Sequence, residues 1–189
     1  MSSMEESSLA MNARFVKALS IGSGLQERVA TNRSLNTAVA IKSRLNFLSV
    51  VMFWCKAQDA IPILRSLKGQ KFLIKGNHDR CNDNKFLREF VKVTEYLEVK
   101  DSGRTVILCH YPIPCFKNHF YGSFHLYGHV HNSFEWNMME HDKYLMEELY
   151  TTPCQMFNVG AMMPWMDYTP RTLDEIIAAN SHNEAVRNK

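Results

Sequence analysis

The chain has 189 residues, 46% of them hydrophobic and 22% charged, enough apolar material for one domain with a real core. Its net charge of +3 is too mild to argue for a nucleic-acid binder, and no apolar run reaches the ~18 residues that a membrane span needs. Cys55, Cys81, Cys109, Cys115 and Cys154 are an odd set without a C-x-x-C pair, which reads as reduced thiols and places the protein in the cytoplasm.

Residues 1–58 differ in composition from the rest. They contain no Asp, His, Tyr or Pro, and carry seven Lys/Arg against three Glu, so +4; residues 59–189 carry 15 against 16, so −1. Leu9, Phe15, Val16 and Leu19 fall at roughly helical spacing, Gly22-Ser23-Gly24 breaks that pattern, and a second weak helix is expected from about Leu25 to Arg44. Leu45 to Trp54 is apolar and β-branched enough for a buried strand. Gln58 to Leu67 carries an apolar stripe of Ala60, Ile63, Leu64 and Leu67, with Pro62 tolerable in the first turn, and predicts a helix.

Lys71 to Ile74 predicts a strand running into Gly76-Asn77-His78-Asp79. A helix is expected from Asn84 to Val91, a strand from Val93 to Val99, a turn at Asp101-Ser102-Gly103, and strands at Thr105–Leu108, Phe124–Tyr127 and Phe157–Gly160. Leu173 to Ala179 predicts a helix with Thr172 as N-cap and Glu175 three residues on. The aromatic and Met-rich stretch from Phe134 to Met146 suits core or dimer packing better than a substrate groove. Strands alternating with helices favour a layered α/β fold.

Three apolar runs end in imidazoles: Phe72–Ile74 before His78, Val106–Cys109 before His110, and Phe124–Tyr127 before His129 and His131. Histidines delivered to several strand ends are what proton transfer or metal binding on loops requires. His125 alternates away from these positions and reads as a core or solvent-facing residue; His119, His141 and His182 have no such context.

Gly76-Asn77-His78-Asp79, His110-Tyr111-Pro112 and Gly128-His129-Val130-His131, in this order, resemble the motifs of the calcineurin-like metallophosphoesterases. Asn158-Val159-Gly160, Asp167-Tyr168-Thr169-Pro170-Arg171 and the Leu173-Asp174-Glu175-Ile176-Ile177 helix resemble the closing segment of small bacterial and phage members. The resemblance implies a four-layer α/β/β/α sandwich holding two divalent metal ions drawn from Mn, Fe, Zn, Ni or Mg. It implies Asn77, His110 and His129 as ligands of the second metal, His131 as a ligand of the first, and His78, oriented by Asp79, as the catalytic acid or transition-state stabiliser. The substrate would be a phosphate ester, with nucleic acid only as a substrate and no membrane partner. The short span between His110 and His129 leaves no room for a large capping domain, so the site is expected to be open.

The family's first two motifs, D-x-H and G-D, have no counterpart: no Asp precedes Asp59 and no His precedes His78. These motifs would supply most of the first metal site and the bridging carboxylate. Residues 1–56 therefore read as an atypical segment, replaced or frame-shifted and partly disordered, ahead of a metallophosphoesterase domain over 57–180 and a polar tail at 181–189. Two functions follow: a phosphoesterase acting through metal-bound hydroxide, impaired in this chain, or a non-catalytic remnant that binds one metal weakly or serves as an interaction domain.

Overall fold

The computed structural model describes residues 37–42, 47–52, 61–62, 64–65, 70–77, 79, 83–131, 133–160, 163–166 and 171–187. It is a mixed α/β structure with two four-stranded sheets. The first takes β1 (Thr37–Lys42), β2 (Phe47–Met52), β3 (Lys71–Ile74) and β4 (Lys92–Thr94) in that order, β1 antiparallel to β2 and the other neighbours parallel. The second takes β5 (Tyr96–Asp101), β6 (Arg104–Cys109), β7 (Phe124–Tyr127) and β8 (Met156–Asn158), again with one antiparallel pair followed by two parallel ones. A short helix α1 (Asn84–Leu87) links β3 to β4, α2 (Phe134–Tyr150) links β7 to β8, and α3 (Leu173–Arg187) follows β8.

β1 occupies part of the segment expected to be helical from Leu25 to Arg44, and that expectation is corrected: Thr37–Lys42 pairs in register with β2. Of the helix expected over Gln58–Leu67, the described residues 61–62 and 64–65 are helical. The single strand expected over Val93–Val99 is two strands. Lys75 N–H bonds the Thr94 carbonyl at 2.8 Å on the first sheet, whereas Leu97 and Val99 pair with Leu108 and Val106 on the second. The chain thus changes sheets at Glu95. Ser102 and Gly103 both take positive φ, 51° and 85°, as a two-residue hairpin turn between β5 and β6 requires.

The second sheet is covered on both faces. Val106, Leu108, Leu126 and Phe157 join Ile74 of β3 in one buried cluster, with Leu173 and Ile176 of α3 in the same cluster. A side chain from the first sheet thus sits in the core of the second. The opposite face presents Ile107, Tyr127 and Met156, against which Met139 and Met146 of α2 pack; Trp136 touches both clusters. Each fully buried Leu or Ile here contributes about 1.5–3 kcal/mol. The α3 N-terminus closes as expected: Thr172 N–H donates to Glu175 Oε2 at 2.6 Å and Glu175 N–H donates to Thr172 Oγ1 at 3.2 Å. Arg104 ties this end to the β5–β6 hairpin through Asp174 and Asp101, at 2.5 and 2.6 Å. No helix of the described residues is long and apolar enough to cross a membrane.

His125 is fully buried in the middle of β7. Ile113 N–H lies 3.1 Å from its Nε2, the Tyr111 carbonyl lies 3.2 Å from the same nitrogen, and Nδ1 lies 3.2 Å from the Ile107 carbonyl, so the imidazole bridges three backbone groups. Burial pushes this imidazole down to about 4, against the opposing pull of the Ile107 and Tyr111 carbonyls. An unfolded chain binds this proton near the ordinary 6.5 and the folded chain does not. Stability contributed here is therefore complete above pH 6.5 and falls as pH drops toward 4. The total is about 3 kcal/mol. Urea midpoints measured across this pH window should fall in the parent protein and flatten in His125→Gln; equal slopes in the two proteins would refute the assignment.

Candidate functional site

The parallel strands β6, β7 and β8 end at one edge of the second sheet, and the turn after β3 meets them there. Ligand sites in α/β sheets form at such carboxyl ends. The β3 turn is closed by its own residues. Asp79 N–H donates to the Gly76 carbonyl at 3.2 Å, and Gly76 N–H donates to Asp79 Oδ2 at 2.7 Å. Asp79 is buried, and its carboxylate fixes the turn that presents the exposed Asn77. His78 lies outside the described residues.

His110 follows β6 directly and is buried. Its ring lies against the Gly76 backbone so closely that a Cβ on Gly76 would stand 2.8 Å from His110 Cε1, 2.9 Å from Nδ1 and 3.0 Å from Nε2. A glycine is needed at this position for close approach rather than for positive φ. The β6 and β7 ends are joined by the Gly128 N–H to His110 carbonyl bond at 3.0 Å.

The loop after β7 is strained. His129 and His131 both have φ of 49°, the left-handed region that costs a non-glycine residue about 1–2 kcal/mol. Val130 N–H bonds back to the Gly128 carbonyl at 2.7 Å, tightening the turn across His129. Ser133 Oγ donates to the Val130 carbonyl. Asn158, buried at the end of β8, holds the far side: its Nδ2 donates to the His131 carbonyl at 2.9 Å, and its Oδ1 accepts from Gly160 N–H at 3.0 Å.

These constraints bring three side-chain atoms together. His110 Nε2 lies 2.7 Å from Asn77 Oδ1 and 3.0 Å from His129 Nδ1. An imidazole nitrogen either donates or accepts along one in-plane direction, so His110 Nε2 is shared between two partners where it can serve one well. The same spacing fits a shared cation. Donors bound at 2.0–2.1 Å and adjacent on an octahedron lie about 3 Å apart. Tyr111, half-exposed, borders the cluster with its ring centroid 4.6 Å from that of His129 and 4.9 Å from that of His110.

The structure thus brings Asn77, His110 and His129 together, as the motif order implied. His131 is exposed, and its left-handed backbone and the bond from Asn158 Nδ2 to its carbonyl fix its position. Among the described residues, no three His, Cys, Asp or Glu side chains group to hold a metal ion; the cluster is two imidazoles and an amide. Asn158 and Tyr111 enter the sequence reading only as members of motifs, with no task of their own. A buried Asn ending an apolar strand was the available signal for the first.

No protein-family model and no curated protein matches the chain. In structure it is similar to a crystal structure of the protein of unknown function AQ665 from Aquifex aeolicus, with a TM-score of 0.43 and 23% identity, over 64% of this chain and 67% of that one.

Gly76→Ala should force the His110 ring out of its seat, because the atoms a Cβ would meet belong to the ring of a buried side chain rather than to the far end of a flexible one. The expected loss is roughly 1–3 kcal/mol in urea denaturation. Unchanged stability together with an unchanged His110 imidazole resonance would show that the ring does not rest on this glycine.

Proposed function

We propose that the chain is a metal-dependent phosphoesterase of the calcineurin-like kind, reduced in activity, built on the four-layer α/β/β/α arrangement of that family and working in the cytoplasm on phosphate esters. The convergence of Asn77 Oδ1, His110 Nε2 and His129 Nδ1 carries the reading. It is supported by the left-handed backbone at His129 and His131, since strain of this kind persists where the surrounding structure over-determines it and concentrates at functional sites.

The donor set suits a borderline transition metal such as Mn, Fe, Zn or Ni better than a hard cation that demands all-oxygen ligands. A bound divalent ion would supply charge neutralisation for phosphoryl oxygens and a more acidic water. The chain's own residues do the rest. Asn77, His110 and His129 would hold and orient the ion, Gly76 leaves room for the His110 ring, and Asp79 fixes the turn that presents Asn77. His78 is assigned the proton given to the leaving oxygen. His131 is assigned to a first metal site, for which no aspartate precedes Asp59 in the sequence.

That shortage of carboxylates favours a second reading, a remnant that binds one metal without turnover. Hydrolysis of a chromogenic phosphodiester with added Mn²⁺ separates the two. The enzyme reading expects turnover that falls at least ~100-fold in His110→Ala and in His129→Ala. Metal retained without turnover supports the remnant. Neither metal nor turnover, or turnover indifferent to both substitutions, would remove the site altogether.

A further inference from the structure

We infer that the outer face of α2 is a self-association surface, on which two copies of this chain pair through antiparallel α2 helices. The buried side of α2 is accounted for: Trp136, Met139 and Met146 pack on the second sheet, and Lys143 on the same side is buried with its Nζ 5.1 Å from the Phe157 ring centre. The opposite side should then be polar. Instead it carries Phe134, Met138, Leu145 and Leu149, with exposures of 76%, 49%, 43% and 74%. At 3.6 residues per turn these four lie within about 60° of arc, on a single stripe.

The spacing of the stripe identifies its occupant. The steps from Phe134 to Met138, Met138 to Leu145 and Leu145 to Leu149 are four, seven and four residues, the same read in either direction. A two-fold axis crossing the helix between His141 and Asp142 therefore sets Phe134 against the partner subunit's Leu149, and Met138 against the partner subunit's Leu145. An isologous interface requires this self-complementarity, in which residue i meets j and j meets i. A parallel pairing would instead set each residue against itself.

The area agrees. The four side chains leave on the order of 400 Å² of apolar surface in water, as large as the biggest patch of an ordinary monomer. The flanking His141 and Glu148 widen the face, which places the contact at the small end of specific interfaces, whose standard size is ~800 Å² per partner. The same register sets Asp142 against the partner subunit's His141 across the axis. α2 begins three residues after His131, so this pairing also lays the partner's α2 C-terminus beside the candidate site.

Sedimentation velocity on the full chain at micromolar concentration tests the inference, independently of any hydrolysis. The parent protein should be a dimer. Met138→Lys and Leu145→Glu should each be monomeric, with unchanged circular dichroism because neither side chain faces the core. The double variant, carrying both changes, should regain the dimer, because the antiparallel register sets each new lysine against the partner's new glutamate. A monomeric parent, dimers that survive either single change, or a double variant that stays monomeric would each overturn the proposal.

Discussion

The contact of the His110 imidazole with the Gly76 backbone is the constraint on which the rest of this structure turns. Gly76 follows a strand of the first sheet and His110 ends a strand of the second, so the contact exists only if the two sheets are correctly packed. That packing is set two residues earlier, where Ile74 enters the cluster of Leu97, Leu108 and Leu126. A hydrophobic core thereby fixes a polar geometry to fractions of an ångström, as supporting shells around functional groups generally must. Nothing bulkier than hydrogen fits at Gly76 without moving the ring.

The second half of the site is held differently. The His129–His131 loop stores strain at two non-glycine residues, and the bonds opposing that strain come from three strand ends: His110, Gly128 and Asn158. Asn158 is the hub, donating to the loop, accepting from Gly160 and offering its own carbonyl to Trp165 Nε1 at 2.7 Å. His125 performs the matching task one layer deeper, since its Nε2 holds Ile113 and thereby the loop that follows His110. One side of the site depends on apolar packing and the other on a satisfied polar network.

Much of this was legible in the sequence, and the parts that were not have physical reasons. β3 and β7 appear with the bounds their apolar runs suggest, and the Thr172–Glu175 cap forms where the spacing places it. The grouping of Asn77, His110 and His129 followed from motif order, not from local chemistry. The sheet change at Glu95 left no trace, because Val93, Leu97 and Val99 keep one alternating period while serving two sheets. Ala38 and Ala40 in β1 are good helix formers, so the local signal favours helix, whereas pairing with β2 decides the outcome. α2 was invisible as a one-sided helix for a related reason: a lysine sits in its buried face and four large apolar residues in its exposed one.

The chemistry of the clustered atoms carries a last consequence. The clustered atoms belong to two imidazoles and an amide, with no carboxylate among them, and the Asp79 carboxylate accepts from Gly76 N–H. A divalent ion held by this set would keep its full charge, in contrast to one balanced by aspartates. Such an ion attracts phosphate anions strongly. It is also retained weakly, because no Coulombic attraction from the protein opposes its loss. On the proposed reading, an ion held in this way would bind an anionic substrate better than the protein binds the ion, and turnover would be limited by metal occupancy.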